Sequence, residues 1–164
     1  MKTAVKISRI VMCVIVSLYT VYVCAAAGYT ARMKCMRIAM DESGAFYMAF
    51  DGLNGTAVFY ILLTAFLLLL GTACWILLFR SGCVMEIFAG ICAVSTAILG
   101  VLPDTQLAEY TFLREWLKSF LWWETAVDVA LAVKPTLAIL CICTTACHTV
   151  LFLIDHRKTY RKEN

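Results

Sequence analysis

The stretch CVMEIFAGICAVSTAILGVL, residues 83–102, decides the fold. Its one charged residue is Glu86, and small residues recur at helical spacing in two adjoining stripes, Ala89, Ala93 and Ala97 beside Cys92, Thr96 and Gly100. In a soluble core a helix lined this way packs loosely. In lipid, small side chains let neighbouring backbones come close, where dispersion and interhelical hydrogen bonds act. The stretch therefore reads as the central helix of a membrane bundle, with those six residues as its packing face.

Composition agrees. Of 164 residues, 63% are hydrophobic and 15% charged, against about 45–50% and about 25% in soluble domains. One integral membrane domain over residues 1–164 is expected. The net charge is +3, with seven of the fourteen basic residues gathered at the two ends; they form no basic face interleaved with aromatics, which sets nucleic acid aside. Nine cysteines would suggest a disulfide scaffold in a short secreted chain. Here Cys13, Cys24, Cys74, Cys92, Cys141, Cys143 and Cys147 fall within apolar runs, Cys83 at the edge of one, and only Cys35 in a polar segment. In such runs cysteine behaves as a small hydrophobe.

Towards the N-terminus, Arg80-Ser81-Gly82 allows only a tight turn, so residues 83–102 and the uncharged run before them, with a span at 55–79, form an antiparallel pair. Glu86 lies near that turn, where Arg80 would pair with it or its head would reach water; a functional carboxylate is the alternative. The polar segment 30–54 carries Met33, Met36 and Met40 at i, i+3 and i+7, expected as one side of a short surface helix rather than a Cu(I) site. Asn54-Gly55-Thr56 matches the glycosylation sequon but abuts the next apolar run, and is discounted. Residues 10–31 carry no formal charge and are long enough to span at about 1.5 Å per residue. They are expected to be retained; the rival is a signal peptide ending near Ala25, Ala26 and Ala27.

Towards the C-terminus, Pro103 ends the helix and Asp104 is the expected N-cap of the next. Within residues 105–124, Tyr110, Leu113, Trp116, Leu117, Phe120 and Leu121 share one face, opposite Arg114, Glu115, Lys118 and Ser119. That pattern predicts an amphipathic helix along the membrane interface. Asp128 and Lys134 bracket a small apolar run that either enters the membrane or extends over its surface. Pro135 either sits in the first turn of a last span, 135–154, or kinks a longer helix. That span carries Cys141, Thr144, Thr145 and His148 at i, i+3, i+4 and i+7, a stripe expected to meet the small face of residues 83–102. His148 is expected to hydrogen-bond back to Thr144. Residues 155–164 read as a basic tail.

The fold class is thus an all-α integral membrane protein, a four-span bundle with one interfacial helix before the last span. Four spans put both ends on one side, with eight basic residues there against six opposite; the excess places the termini in the cytoplasm.

No C-x-x-C pair, H-E-x-x-H, G-x-S-x-G or phosphate-cradling loop occurs. Cys141, Cys143, Cys147 and His148 on one unbroken helix do not surround a tetrahedral ion. Neither a cofactor nor a metal is expected. The leading functional expectation is an accessory, assembly or regulatory protein acting by helix contacts, its partners membrane lipid and either further copies of itself or a larger membrane protein. An oligomeric transporter or channel subunit, with Glu86, His148, Asp128 and Lys134 lining a polar path, is second. A membrane thiol or redox enzyme is third.

Overall fold

A computed structural model describes residues 2–80, 82–102 and 123–163. The expected interfacial helix and its Asp104 cap fall outside the described residues up to position 122. The chain runs α1 (Lys2–Lys34), β1 (Met36–Met40), β2 (Phe46–Phe50), α2 (Gly55–Phe79), α3 (Cys83–Val101) and α4 (Trp123–Glu163). All four helices are long and apolar enough to cross a membrane, and the architecture fits an integral multi-pass membrane protein.

Side-chain contacts fix the helix directions. Ser17 meets Trp75, Thr20 faces Gly71 and Cys24 meets Thr64, so α1 and α2 are antiparallel. Cys74 meets Ala89 across α2 and α3, while His148 meets Glu86 and Cys141 meets Ala93 across α3 and α4. Ser8 against His148 closes the ring between α1 and α4. The result is an up-down-up-down four-helix bundle. The termini and the α2–α3 turn share one end, the terminal end; the β-strands mark the other.

α1, not α3, is the most enclosed helix: half of its apolar window is buried, against a third or less in the other three. Met12, Val16, Tyr19, Val23 and Ala27 form its buried stripe, at the spacing of a helix face. The small face of α3 meets three neighbours rather than α4 alone. Tyr19 reaches across the diagonal, donating its hydroxyl to the Ala97 carbonyl at 2.9 Å, and its ring fills the space that a Cβ on Gly100 would occupy, 2.5 Å from the phenolic oxygen. The Cys74 and Cys141 thiols donate to the carbonyls of Ala89 (3.5 Å) and Ala93 (3.7 Å). Hydroxyls inside the bundle turn back on their own helices, Thr20 to Val16 O and Thr145 to Cys141 O, each at 2.7 Å, which satisfies them where water is scarce.

Two helices outrun their apolar stretches. α1 starts before Arg9, and α4 runs through Pro135 and the whole basic tail to Glu163. Charge ends a hydrophobic run but not a hydrogen-bonded helix.

The Met segment differs in kind from the expected short helix. Met36 and Met40 lie on β1, in an antiparallel hairpin with β2 paired Met36 to Phe50, Ile38 to Met48 and Met40 to Phe46. Asp41 builds the turn: its carboxylate accepts from the Ser43 hydroxyl (2.6 Å), the Ala45 N–H (2.8 Å) and the Ser43 N–H (2.9 Å), and Gly44 takes the left-handed φ of 83°. The Ser43 hydroxyl first, then the Ala45 N–H, holds the Asp41 carboxyl below its ordinary pKa of 3.8. At the root, Asn54 caps both helices, accepting from Ala57 N–H and donating to the Lys34 carbonyl, each at 2.8 Å.

Because directly paired residues share a face, Met36, Ile38, Met40, Phe46, Met48 and Phe50 form one wholly apolar face. The other face holds Arg37, Ala39, Tyr47 and Ala49. Ile38 and Phe50 are each 72% exposed and Phe46 is 75% exposed. The described residues leave this face open.

Candidate functional site

Three of the ionisable residues that face the bundle interior, Arg9, Glu86 and His148, converge at the terminal end. Glu86, in the first turn of α3, is 4% exposed; a carboxylate there is favoured by the helix dipole. An Arg9 Nη on α1 donates to its Oε1. His148 on α4, 2% exposed, brings Nε2 to within 2.8 Å of Oε2. Ser8 on α1 lies 2.9 Å from the other imidazole nitrogen, Nδ1, and 2.9 Å from the Val5 carbonyl. Three helices are thereby tied through one carboxylate.

Hydrogens can occupy this set in two ways. In the first, Ser8 donates to Nδ1 and the Nε2–H of a neutral imidazole donates to Glu86. In the second, Ser8 rotates to donate to Val5 O and accepts from Nδ1–H, while Nε2–H still donates to Glu86; the imidazole is then a cation. The second arrangement differs from the first by one proton added at Nδ1 as well as by the rotation of the Ser8 hydroxyl.

The expected partners are corrected here. Glu86 pairs with Arg9 and His148 rather than with Arg80, because it faces the bundle interior while Arg80 is exposed at the turn. His148 pairs with Glu86 and Ser8 rather than with Thr144, whose hydroxyl bonds Leu140 O and Cys141 O.

Lys134 is buried, 7% exposed, but stands 14 positions before His148, about 21 Å along the helix. Between them the inward residues Ala138, Cys141 and Thr145 are buried, so Glu86 and His148 are brought together and Lys134 is not. Asp128 lies on the α4 backbone. Ala89, Ala93, Thr96, Ala97 and Gly100 are buried within the chain and Cys92 half-buried. Cys143 and Cys147 face outward, away from His148, and among the described residues no group of three or more metal-ligating side chains assembles.

Sequence reasoning missed Arg9 and Ser8. Depth was the available signal: Arg9 is the last charge before the first uncharged run, Glu86 sits one turn into α3, and His148 sits seven residues before Asp155. In an alternating bundle all three fall at one level.

Fold and site together define a class, a four-helix bundle fitting a multi-pass membrane protein, with a buried arginine–glutamate–histidine cluster at its terminal end. Comparison with protein-family models, curated proteins and solved structures finds no match to the chain.

Proposed function

We propose that this chain is inserted in a membrane through its four long helices, termini on the cytoplasmic side, and serves as an accessory, assembly or regulatory subunit that docks on a larger membrane protein. The hairpin carries this reading. A two-stranded hairpin is marginal alone; this one presents six apolar side chains on one face, of the adaptable Met and Phe type that suits contact surfaces. It is leashed to α1 and α2 within a few residues at each root, so it stays close to the ends of the spans. Thr136, Cys143, Ala146 and Cys147, exposed along α4, give a small-residue flank suited to a partner helix.

The test is purification of full-length protein from its native membrane, beside an Ile38→Ser/Met48→Ser/Phe50→Ser variant whose changes lie on the exposed face. Wild type is expected to bring a stoichiometric larger protein and the variant to lose it, with helical circular dichroism unchanged. Wild type emerging alone or only as a homo-oligomer, or the variant keeping the partner, would overturn the reading.

The second reading, an oligomeric transporter or channel subunit, is favoured by one observation, the continuous hydrogen-bonded set of Ser8, His148 and Glu86 inside the bundle. Proton flux into vesicles holding the purified oligomer, abolished by Glu86→Gln and by His148→Asn while assembly is kept, would support it; flux unchanged by both would end it.

A further inference from the structure

At the terminal end, α1 and α2 leave a groove of about 230 Å³, walled by Ile10, Cys13 and Val14 on one side and Trp75, Leu78 and Phe79 on the other, with Arg9 at its head. Its deep end is pinned where the Trp75 indole N–H donates to Ser17 Oγ at 2.6 Å. From Arg9 to Ser17 is eight residues, about 12 Å of helix, a length that takes the upper part of one alkyl chain.

The chemistry of the head differs from that of the walls. Lys6 is exposed one turn before Arg9 and Ile10 on the same face of α1, and Arg80 is exposed one residue past Phe79. Arg9 thus lines the head of the groove, and two further cations lie within a turn of its lining residues. The carboxylate beside them, Glu86, already faces Arg9 and His148. Arg9 keeps 30% of its side chain exposed while one Nη serves Glu86, so its guanidinium can face an anion at the head of the groove as well as the carboxylate. An apolar slot of limited length ending in cations complements an amphiphile with one alkyl chain and an anionic head; guanidinium and phosphate match in charge and hydrogen-bond geometry.

We propose that this groove binds an anionic phospholipid, one acyl chain lying between α1 and α2 and the phosphate-bearing headgroup resting against Lys6, Arg9 and Arg80. A zwitterionic lipid fills the slot equally well but gains little at the mouth, so selectivity comes from the headgroup. Each surface cation should favour the anionic lipid by about fivefold. The proposal rests on the bundle being membrane-inserted and is independent of the hairpin's partner.

The test uses full-length protein in lipid nanodiscs, with Trp116, Trp122 and Trp123 changed to Phe so that Trp75 alone fluoresces. Phosphatidylcholine or phosphatidylglycerol brominated in the upper acyl chain is titrated in as quencher. Brominated phosphatidylglycerol is expected to quench Trp75 at several-fold lower mole fraction than brominated phosphatidylcholine. Lys6→Gln/Arg80→Gln, both exposed and so neutral for folding, should bring the two curves together. Val14→Phe, which fills the slot, should weaken quenching by both. Equal quenching by the two lipids in the parent protein, or a preference that survives Lys6→Gln/Arg80→Gln, would overturn the headgroup site. Quenching by neither lipid would overturn insertion as well, so the two failures are distinguishable.

Discussion

Replacing Glu86 with alanine removes the one acceptor that joins Arg9 on α1 to His148 on α4. Removing one partner of a buried ion pair costs about 3–5 kcal/mol, because the surviving charge stays desolvated. Arg9 is 30% exposed along its side chain and recovers some hydration at the terminal end, which brings the expected loss to about 2–3 kcal/mol. Glu86→Gln keeps an acceptor for Arg9 and, once the imidazole hydrogen moves to Nδ1, an amide donor for His148 Nε2, but gives up charge assistance, worth about half of each bond, so it should lose about 1–2 kcal/mol. The decisive comparison is a cycle with Arg9→Met. With Glu86→Leu as the other arm, each single change leaves a buried charge without its partner, whereas Arg9→Met/Glu86→Leu removes both charges; the loss of His148's acceptor is common to Glu86→Leu and the double variant and cancels in the cycle. The double variant should therefore be more stable than the sum of the singles by at least about 1.5 kcal/mol. Reversible unfolding in detergent, followed by helical circular dichroism, reads these values directly. Additive effects, or a Glu86→Ala loss below about 0.5 kcal/mol, would refute the view that this carboxylate ties the helices together.

Three further outcomes are expected. Gly100→Ala should cost about 1–3 kcal/mol, since its Cβ would sit 2.5 Å from the hydroxyl of the fully buried Tyr19, whereas Gly28→Ala, which meets nothing within 4 Å, should be neutral or stabilising by up to about 1 kcal/mol; thermal unfolding of both checks this. The hairpin turn should loosen in acid: the folded Asp41 pKa lies below its ordinary 3.8, so its contribution is full above that value and is lost as pH falls through the folded pKa, read as lower amide protection at Ser43–Ala45 relative to the intrinsic exchange rate at each pH, with Asp41→Ala showing the lower protection already at neutral pH. Ser8→Ala should leave His148 Nδ1 without its hydroxyl partner and cost about 0.5–1.5 kcal/mol; an unmoved thermal unfolding midpoint would count against the hydroxyl's part in the cluster.

The sequence disclosed α2 and α3 almost to the residue, because Asn54, the Arg80 turn and the end of the apolar run at Leu102 coincide with real helix ends. Helices α1 and α4 run on past the expected spans 10–31 and 135–154, where charge replaces apolar residues but the helical hydrogen bonds continue. In the Met segment, Met33, Met36 and Met40 fit a helical period, yet Met36, Ile38, Met40 and Phe46, Met48, Phe50 alternate about a turn containing Asp41 and Gly44, and the two-residue period prevailed. Glu86 and His148 stood out as polar residues in apolar runs. Their meeting, and the entry of Arg9 and Ser8, depended on the order of helices around the ring, which no single helix encodes. The central place of α1 was hidden likewise, since Tyr19 looks like any aromatic until it is opposite Gly100.

Docking of a partner protein on the hairpin's apolar face is tested most directly by a photo-reactive amino acid placed in the living cell at Phe46, with Tyr47 on the opposite face as control. One discrete cross-linked protein is expected from position 46 and none from 47. Identical products from both positions, or cross-links from 46 to lipid alone, would contradict it.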